Sequence, residues 1–128
     1  MLAGKLIHVV DDDGGFLKGI ERLLKAHGLK VKTFASAEEF QAYADPAEAA
    51  CLILDIHLSG ISGIELLRRL SGAGIRIPVV LVTANDSETM RKAATDAGCS
   101  AYLEKPFSAK VLMDAINGAV APDVIRRS

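Results

Sequence analysis

The stretch Leu6-Ile7-His8-Val9-Val10-Asp11-Asp12-Asp13 decides the fold. A short, mostly apolar run that halts on three acids reads as a strand covered on both faces, with a polar rim at its carboxyl end. Working outward, the same design recurs. Cys51-Leu52-Ile53-Leu54 stops on Asp55, Val79-Val80-Leu81-Val82 stops on Thr83, and Ala101-Tyr102-Leu103-Glu104 stops on Lys105-Pro106. Helical segments separate these runs, so they are expected to be strands of one parallel sheet. Ligands of such sheets bind outside the carboxyl ends of the strands. Acids, a hydroxyl and an ammonium are thereby delivered to one edge.

Five strand-helix units follow one another, without a repeat or an internal linker. Helix 1 follows the acids, with Asp13 as its N-cap, Phe16, Ile20, Leu23 and Leu24 on its apolar face and Gly28 as its stop. Helices 2 and 3 open on Ser36-Ala37-Glu38-Glu39 and Ser62-Gly63-Ile64-Glu65, both capping-box patterns. Helix 2 is expected to bury Phe40 and Tyr43, and helix 3 Ile64, Leu67 and Leu70. Helix 4 is expected over about Asp86–Ala97, closed by Gly98. Its inward residues Met90, Ala93, Ala94 and Ala97 bury little apolar area, so it is expected to be weakly held. Helix 5 follows the cap Ser108 and is expected to bury Val111, Leu112, Ala115, Ile116 and Ala119. The second strand, Lys30-Val31-Lys32-Thr33-Phe34, carries two lysines and the fifth carries Tyr102 and Glu104, which belong on sheet edges. The expected fold is α/β, a flavodoxin-like (βα)5 doubly wound parallel sheet of strand order 2-1-3-4-5. Its order reverses between strands 1 and 3, which places a crevice between Asp11-Asp12 and Asp55.

The 128 residues suffice for one domain with a real core; residues 123–128 read as a C-terminal tail or the start of a linker. A formal net charge of −1 offers no overall positive field to draw nucleic acid or a membrane surface, and Arg126-Arg127 is too small a cluster to alter that. Cys51 and Cys99 show no metal or redox spacing and read as buried free thiols of a reducing compartment. The N-terminus lacks a signal-peptide core and no apolar run approaches the roughly 20 residues of a membrane span. A cytoplasmic protein is expected. His8, inside the first strand, reads as a core histidine, and His27 as a cation at a helix C-terminus.

Neighbouring carboxylates repel, which raises their pKa values or demands a cation. An all-oxygen set without histidine or thiolate suits Mg²⁺, which often completes its shell with a phosphate oxygen. Asp55, alone at the end of a central strand, is placed as a carboxylate nucleophile would be. The Thr83 hydroxyl can bond a phosphoryl oxygen and the Lys105 ammonium can act as its point-charge partner. Any one of these residues alone would be unremarkable: a loop cap, a structural threonine, a solvated lysine. Their joint placement at strand ends is what points to phosphoryl transfer.

This set, from about Lys5 to Val120, resembles the receiver domain of two-component response regulators. The resemblance implies a receiver domain over residues 1–122 in which Asp55 accepts a phosphoryl group from a sensor histidine kinase or a histidine phosphotransfer protein. It implies Mg²⁺ held by Asp11, Asp12, Asp55 and the His57 backbone carbonyl, with Thr83 and Lys105 contacting the phosphoryl oxygens. Tyr102 matches the family's switch aromatic, responding with Thr83 and the helix 4–strand 5–helix 5 face. His57 and Asn85 match positions that tune hydrolysis of the phosphoryl group, and the Lys105-Pro106 bond is expected to be cis. The resemblance admits a phosphorylation-dependent dimer and implies neither turnover of a substrate nor direct nucleic-acid or membrane binding by this domain. Ser59 stands where the family usually has proline, so a looser loop is expected after Asp55, and Gly14-Gly15 weakens the first turn of helix 1. The sequence also resembles receivers that precede helix-turn-helix DNA-binding domains.

Two rival readings stand beside this one. Asp11-Asp12-Asp13 faintly resembles the nucleophile motif of haloacid-dehalogenase-type phosphatases, with Asp11 as nucleophile and Asp13 as acid/base, but the expected threonine and the late acid pair are missing. A docking module that is never phosphorylated is the second, and the complete acid–hydroxyl–lysine set argues against it. Three acids after the first strand also leave no phosphate loop for FMN.

Overall fold

The computed structural model describes residues 4–121. Its elements alternate as β1 (Leu6–Val10), α1 (Gly14–Ala26), β2 (Lys30–Phe34), α2 (Ala37–Tyr43), β3 (Cys51–Asp55), α3 (Gly63–Gly72), β4 (Val79–Thr83), α4 (Glu88–Asp96), β5 (Ala101–Glu104) and α5 (Ala109–Ala119). A 3₁₀ turn at Pro46–Glu48, with Pro46 at its start and Asp45 as its cap, precedes β3. All strand pairs are parallel and the order is β2-β1-β3-β4-β5. This is the flavodoxin-like sheet, with the lysine-bearing and tyrosine-bearing strands at its two edges.

The register levels the strands. Phe34, Val10, Leu54, Leu81 and Tyr102 are partners in one row across the sheet. Because side chains alternate between faces, each strand serves two cores. Val10, Leu52, Leu54, Val79 and Leu81 pack with Phe40 of α2, with Ile64, Leu67 and Leu70 of α3, and with Ala94 of α4. Ile7, Val9, Ile53, Val80 and Val82 pack with Ile20 and Leu24 of α1 and with Leu112 and Ile116 of α5.

Side-chain caps begin every helix: Asp13, Ser36, Ser62, Ser87 and Ser108 each accept a backbone N–H from the first turn. Asp13 accepts from both Gly15 and Phe16, which anchors the turn that two glycines would otherwise loosen. Gly28 and Gly98 end α1 and α4 at φ values of 82° and 91°, the left-handed region that glycine enters freely. The Lys105-Pro106 bond is cis, as expected.

Several expectations need correction. Tyr43 is 81 % exposed rather than buried. On a seven-residue helix the core line runs from Ala37 to Phe40, and Ala44, four residues beyond Phe40, takes the next contact. Val111 is 45 % exposed, because α5 faces the sheet along Leu112, Ile116 and Ala119 and Val111 lies a third of a turn away. Helix α4 starts two residues later than expected, since Ser87 is its cap. Only Ala94 of α4 is fully buried, with Met90, Ala93 and Ala97 half-buried beside it. Cys51 is buried, and burial pushes its thiol up to about 12, which keeps it protonated; Cys99 is only half-buried. The tail at 123–128 lies outside the described residues.

His8 is fully buried between the rings of Phe34 and Phe40, both met edge-on. Its Nε2 is 3.1 Å from Glu48, which also receives Lys32, and its Nδ1 has no partner. Burial lowers its pKa against the pull of Glu48, so it is a neutral core histidine. Among the described residues, no helix is long and apolar enough to cross a membrane.

Candidate functional site

The carboxyl ends of β1 and β3 bring Asp11, Asp12 and Asp55 together, one oxygen of each lying within 4.8 Å of the others. Asp11 is buried and doubly held: Oδ2 receives the Lys105 ammonium at 2.7 Å and Oδ1 receives the Asp13 N–H at 2.9 Å. Lys105 reaches back from the end of β5, 3.9 Å from Asp55, with the Phe16 ring 4.0 Å below its Nζ. Asp12 is exposed, and Ser59 donates to its Oδ2 through both N–H and hydroxyl.

Asp55 is 5 % exposed. Burial first, then the Asp11 charge, raises its pKa; Lys105 and the His57 N–H, 3.2 Å from Oδ1, only partly offset this. One ammonium therefore stands against three carboxylates. The negative charge left over, and a donor set made only of carboxylate oxygens, fit a hard divalent cation.

Thr83, buried at the end of β4, faces the same rim. Its Oγ1 accepts the Asn85 N–H at 3.0 Å and is hydrogen-bonded to His57 Nε2 at 2.8 Å. His57 thus touches Asp55 with its backbone and Thr83 with its side chain. Tyr102 sits one row back on the edge strand. Its hydroxyl donates to Asp86 at 2.8 Å, Asp86 is ion-paired with Arg91 of α4, and that guanidinium lies 5.2 Å from the Tyr102 ring centroid. Burial and this bond push the Tyr102 phenol up to about 12.

The structure brings Asp11, Asp12, Asp55 and Lys105 together and links Thr83 to Asp55 through His57, while Asp13 is turned to the helix cap. It also shows residues that the sequence hid. Gly63 opens α3 so close to Asp55 that a Cβ there would fall 2.1 Å from the Asp55 carbonyl oxygen. Glu38 of α2 accepts the Ile61 N–H at 3.1 Å, and Gly60, at φ 85°, lets that carboxylate pass. The loop after Asp55, expected to be loose for want of proline, is pinned to Asp12 by Ser59 and to α2 by Glu38. Nothing in the linear spacing of Glu38, Ser59 and Asp12 announces these contacts, which depend on loop conformation; the Gly60-x-x-Gly63 pair was the available signal.

Residues 7–117 match the family profile described as the response regulator receiver domain. The chain is 35 % identical over 113 residues to the transcriptional regulatory protein FixJ of Rhizobium meliloti, covering 88 % of this chain and 55 % of that one. It is 33 % identical over 122 residues to nodulation protein W of Bradyrhizobium diazoefficiens, covering 95 % of this chain and 54 % of the relative. The chain thus spans about half the length of these curated relatives. Among solved structures it resembles the response regulator StyR, with a TM-score of 0.85 and 37 % identity over 98 % of this chain and 63 % of the other. A structure described as FixJ-N matches with a TM-score of 0.83 and 34 % identity, covering 93 % of this chain and 95 % of the other. On this evidence the chain belongs to the response regulator receiver domains of two-component signalling systems.

Proposed function

We propose that Asp55 is the phosphoacceptor of this domain and takes a phosphoryl group from a phosphohistidine of a sensor kinase or a phosphotransfer protein. The observation that carries this reading is the convergence of Asp11, Asp12, Asp55 and Lys105 on one rim. An Asp55 oxygen attacks phosphorus, the O–P bond forms, and the N–P bond to the histidine breaks with its electron pair returning to the imidazole. Asp11, Asp12, Asp55 and the His57 backbone carbonyl would hold Mg²⁺. When bound, that ion would supply positive charge to offset the carboxylates and the phosphoryl oxygens. Lys105, already poised between Asp11 and Asp55, keeps its ammonium for a phosphoryl oxygen. The Thr83 hydroxyl leaves His57 to bond another, and Tyr102 and α4 respond to that movement. His57 and Asn85 flank the approach of water and set how long the acyl phosphate survives. Asp13 serves as the cap of α1 through its Oδ1, the role its place after β1 suggests.

The domain turns over no separate substrate; it works in the cytoplasm as a switch, and the dimer state of the phosphorylated form is part of the same proposal. The names of its relatives make transcription the output we propose for a protein that carries it. Intact mass after incubation with Mg²⁺ and acetyl phosphate tests the acceptor. Wild type gains one phosphoryl group, Asp55→Asn gains none, and chelation of the metal suppresses the gain. An adduct retained by Asp55→Asn and absent from Asp11→Asn would instead support the phosphatase reading.

A further inference from the structure

Asp12 differs from the two carboxylates beside it. Asp11 and Asp55 are buried, and Asp11 is fixed by Lys105 and by the Asp13 N–H. Asp12 is exposed at the end of β1, where a side chain unrestrained by neighbours samples several rotamers. The hydrogen bonds shown for it both come from one residue across the rim. Ser59 donates its N–H at 3.2 Å and its hydroxyl at 3.3 Å, and both bonds fall on Oδ2. Oδ1 is left for a cation.

Ser59 can do this because its loop is held independently of Asp12. Two residues on, the Ile61 N–H donates to Glu38 Oε2 at 3.1 Å. Between them Gly60 takes φ 85°, and a Cβ on it would fall 2.6 Å from that same carboxylate oxygen. Glu38 therefore anchors the loop to α2, and the loop presents Ser59 to Asp12. A proline at position 59 would supply neither donor.

We propose that Ser59 is a positioning residue for cation binding, holding the Asp12 carboxylate in the orientation that offers Oδ1 to Mg²⁺. The proposal rests on the reading of Asp11, Asp12 and Asp55 as the Mg²⁺ site. Outer-shell hydrogen bonds of this kind orient ligands and contribute to metal affinity.

Calorimetric titration of the unphosphorylated full chain with Mg²⁺ tests it, alongside thermal melts in chelator. Ser59→Ala, which removes one donor, is expected to weaken Mg²⁺ binding about threefold. Ser59→Pro, which removes both, is expected to weaken it about tenfold. The melting temperature of Ser59→Ala in chelator stays at the wild-type value, which separates positioning from a general structural role. In an Asp12→Asn background, Ser59→Ala produces no further loss of affinity, since the two act through one contact. Binding by wild type that both Ser59 variants leave unchanged or tighten overturns the proposal alone, as does an undiminished Ser59→Ala effect in the Asp12→Asn background. Failure of wild type to bind Mg²⁺ overturns the metal-site reading and the proposal with it.

Discussion

Asp55 is held in a setting that opposes its own charge. With no metal present, burial and Asp11 raise its pKa, so the folded chain disfavours the ionised form relative to the unfolded chain. The stabilising contribution of the protonated form is complete below the ordinary carboxylate value of about 4. It is lost as pH rises through the raised value. In chelator, Asp55→Asn is therefore expected to be more stable than wild type at pH 7.5, with the advantage shrinking as the pH falls towards the ordinary value; urea unfolding at several pH values measures this. An Asn variant no more stable than wild type at neutral pH would refute it. His8 works in the opposite sense, its lowered pKa withdrawing stability as pH falls below its ordinary value of 6.5, but it is common to both proteins and cancels in the comparison. A second expectation concerns Thr83, whose oxygen is shared by His57 and by the Asn85 N–H. His57→Ala and Asn85→Ala are each expected to change the acyl-phosphate lifetime several-fold while leaving phosphorylation intact, as followed by the decay of the phosphorylated mass. Unaltered decay in both would exclude that role.

At the scale of elements, α4 was recognisable beforehand as the thinly anchored helix, because small residues at 93, 94 and 97 leave little area to bury. What the spacing did not reveal is the polar clasp that joins α4 to the edge strand. Arg91 holds Asp86, Asp86 accepts from Tyr102, and the guanidinium overlies the ring. Movement of Tyr102 alone would break a hydrogen bond and a cation–π contact, so the clasp couples the position of the tyrosine to that of the helix. The phenol reports on this clasp. In a Tyr43→Phe background, which leaves Tyr102 as the sole tyrosine, ultraviolet titration should find it near 12, and Asp86→Asn should lower that value. A titration indifferent to Asp86 would mean that burial alone sets it and that no clasp exists in solution.

For the whole molecule, the strand order and the chemical rim were legible because both follow from local composition: apolar runs, where charge interrupts them, and what stands at their ends. Tyr43 and Val111 were misread because apolarity alone does not tell which of two adjacent helical positions meets the sheet. The contacts of Ser59, Glu38 and Arg91 were illegible because each joins segments whose approach only the folded chain defines. The same integration gives a global expectation. A cation that binds the folded rim and not the unfolded chain stabilises the domain by about 2.7 kcal/mol at a hundredfold excess over its Kd. Added Mg²⁺ should therefore raise the unfolding midpoint of wild type, and much less that of Asp12→Asn; equal shifts would place the cation elsewhere.

The alternation of side chains between the two cores has a consequence of its own. By strand alternation Asp11 and Asp55 share the side of Val9 and Ile53, towards α1 and α5, whereas Thr83 and Tyr102 share the side of Leu81, towards α2, α3 and α4. The paired acids, and Thr83 with Tyr102, therefore lie on opposite banks of a wall of hydrogen-bonded backbone, and the strand tips are the crossing. Traffic between the banks passes at one end only, so a protein resting against α1 leaves α4 open to another visitor.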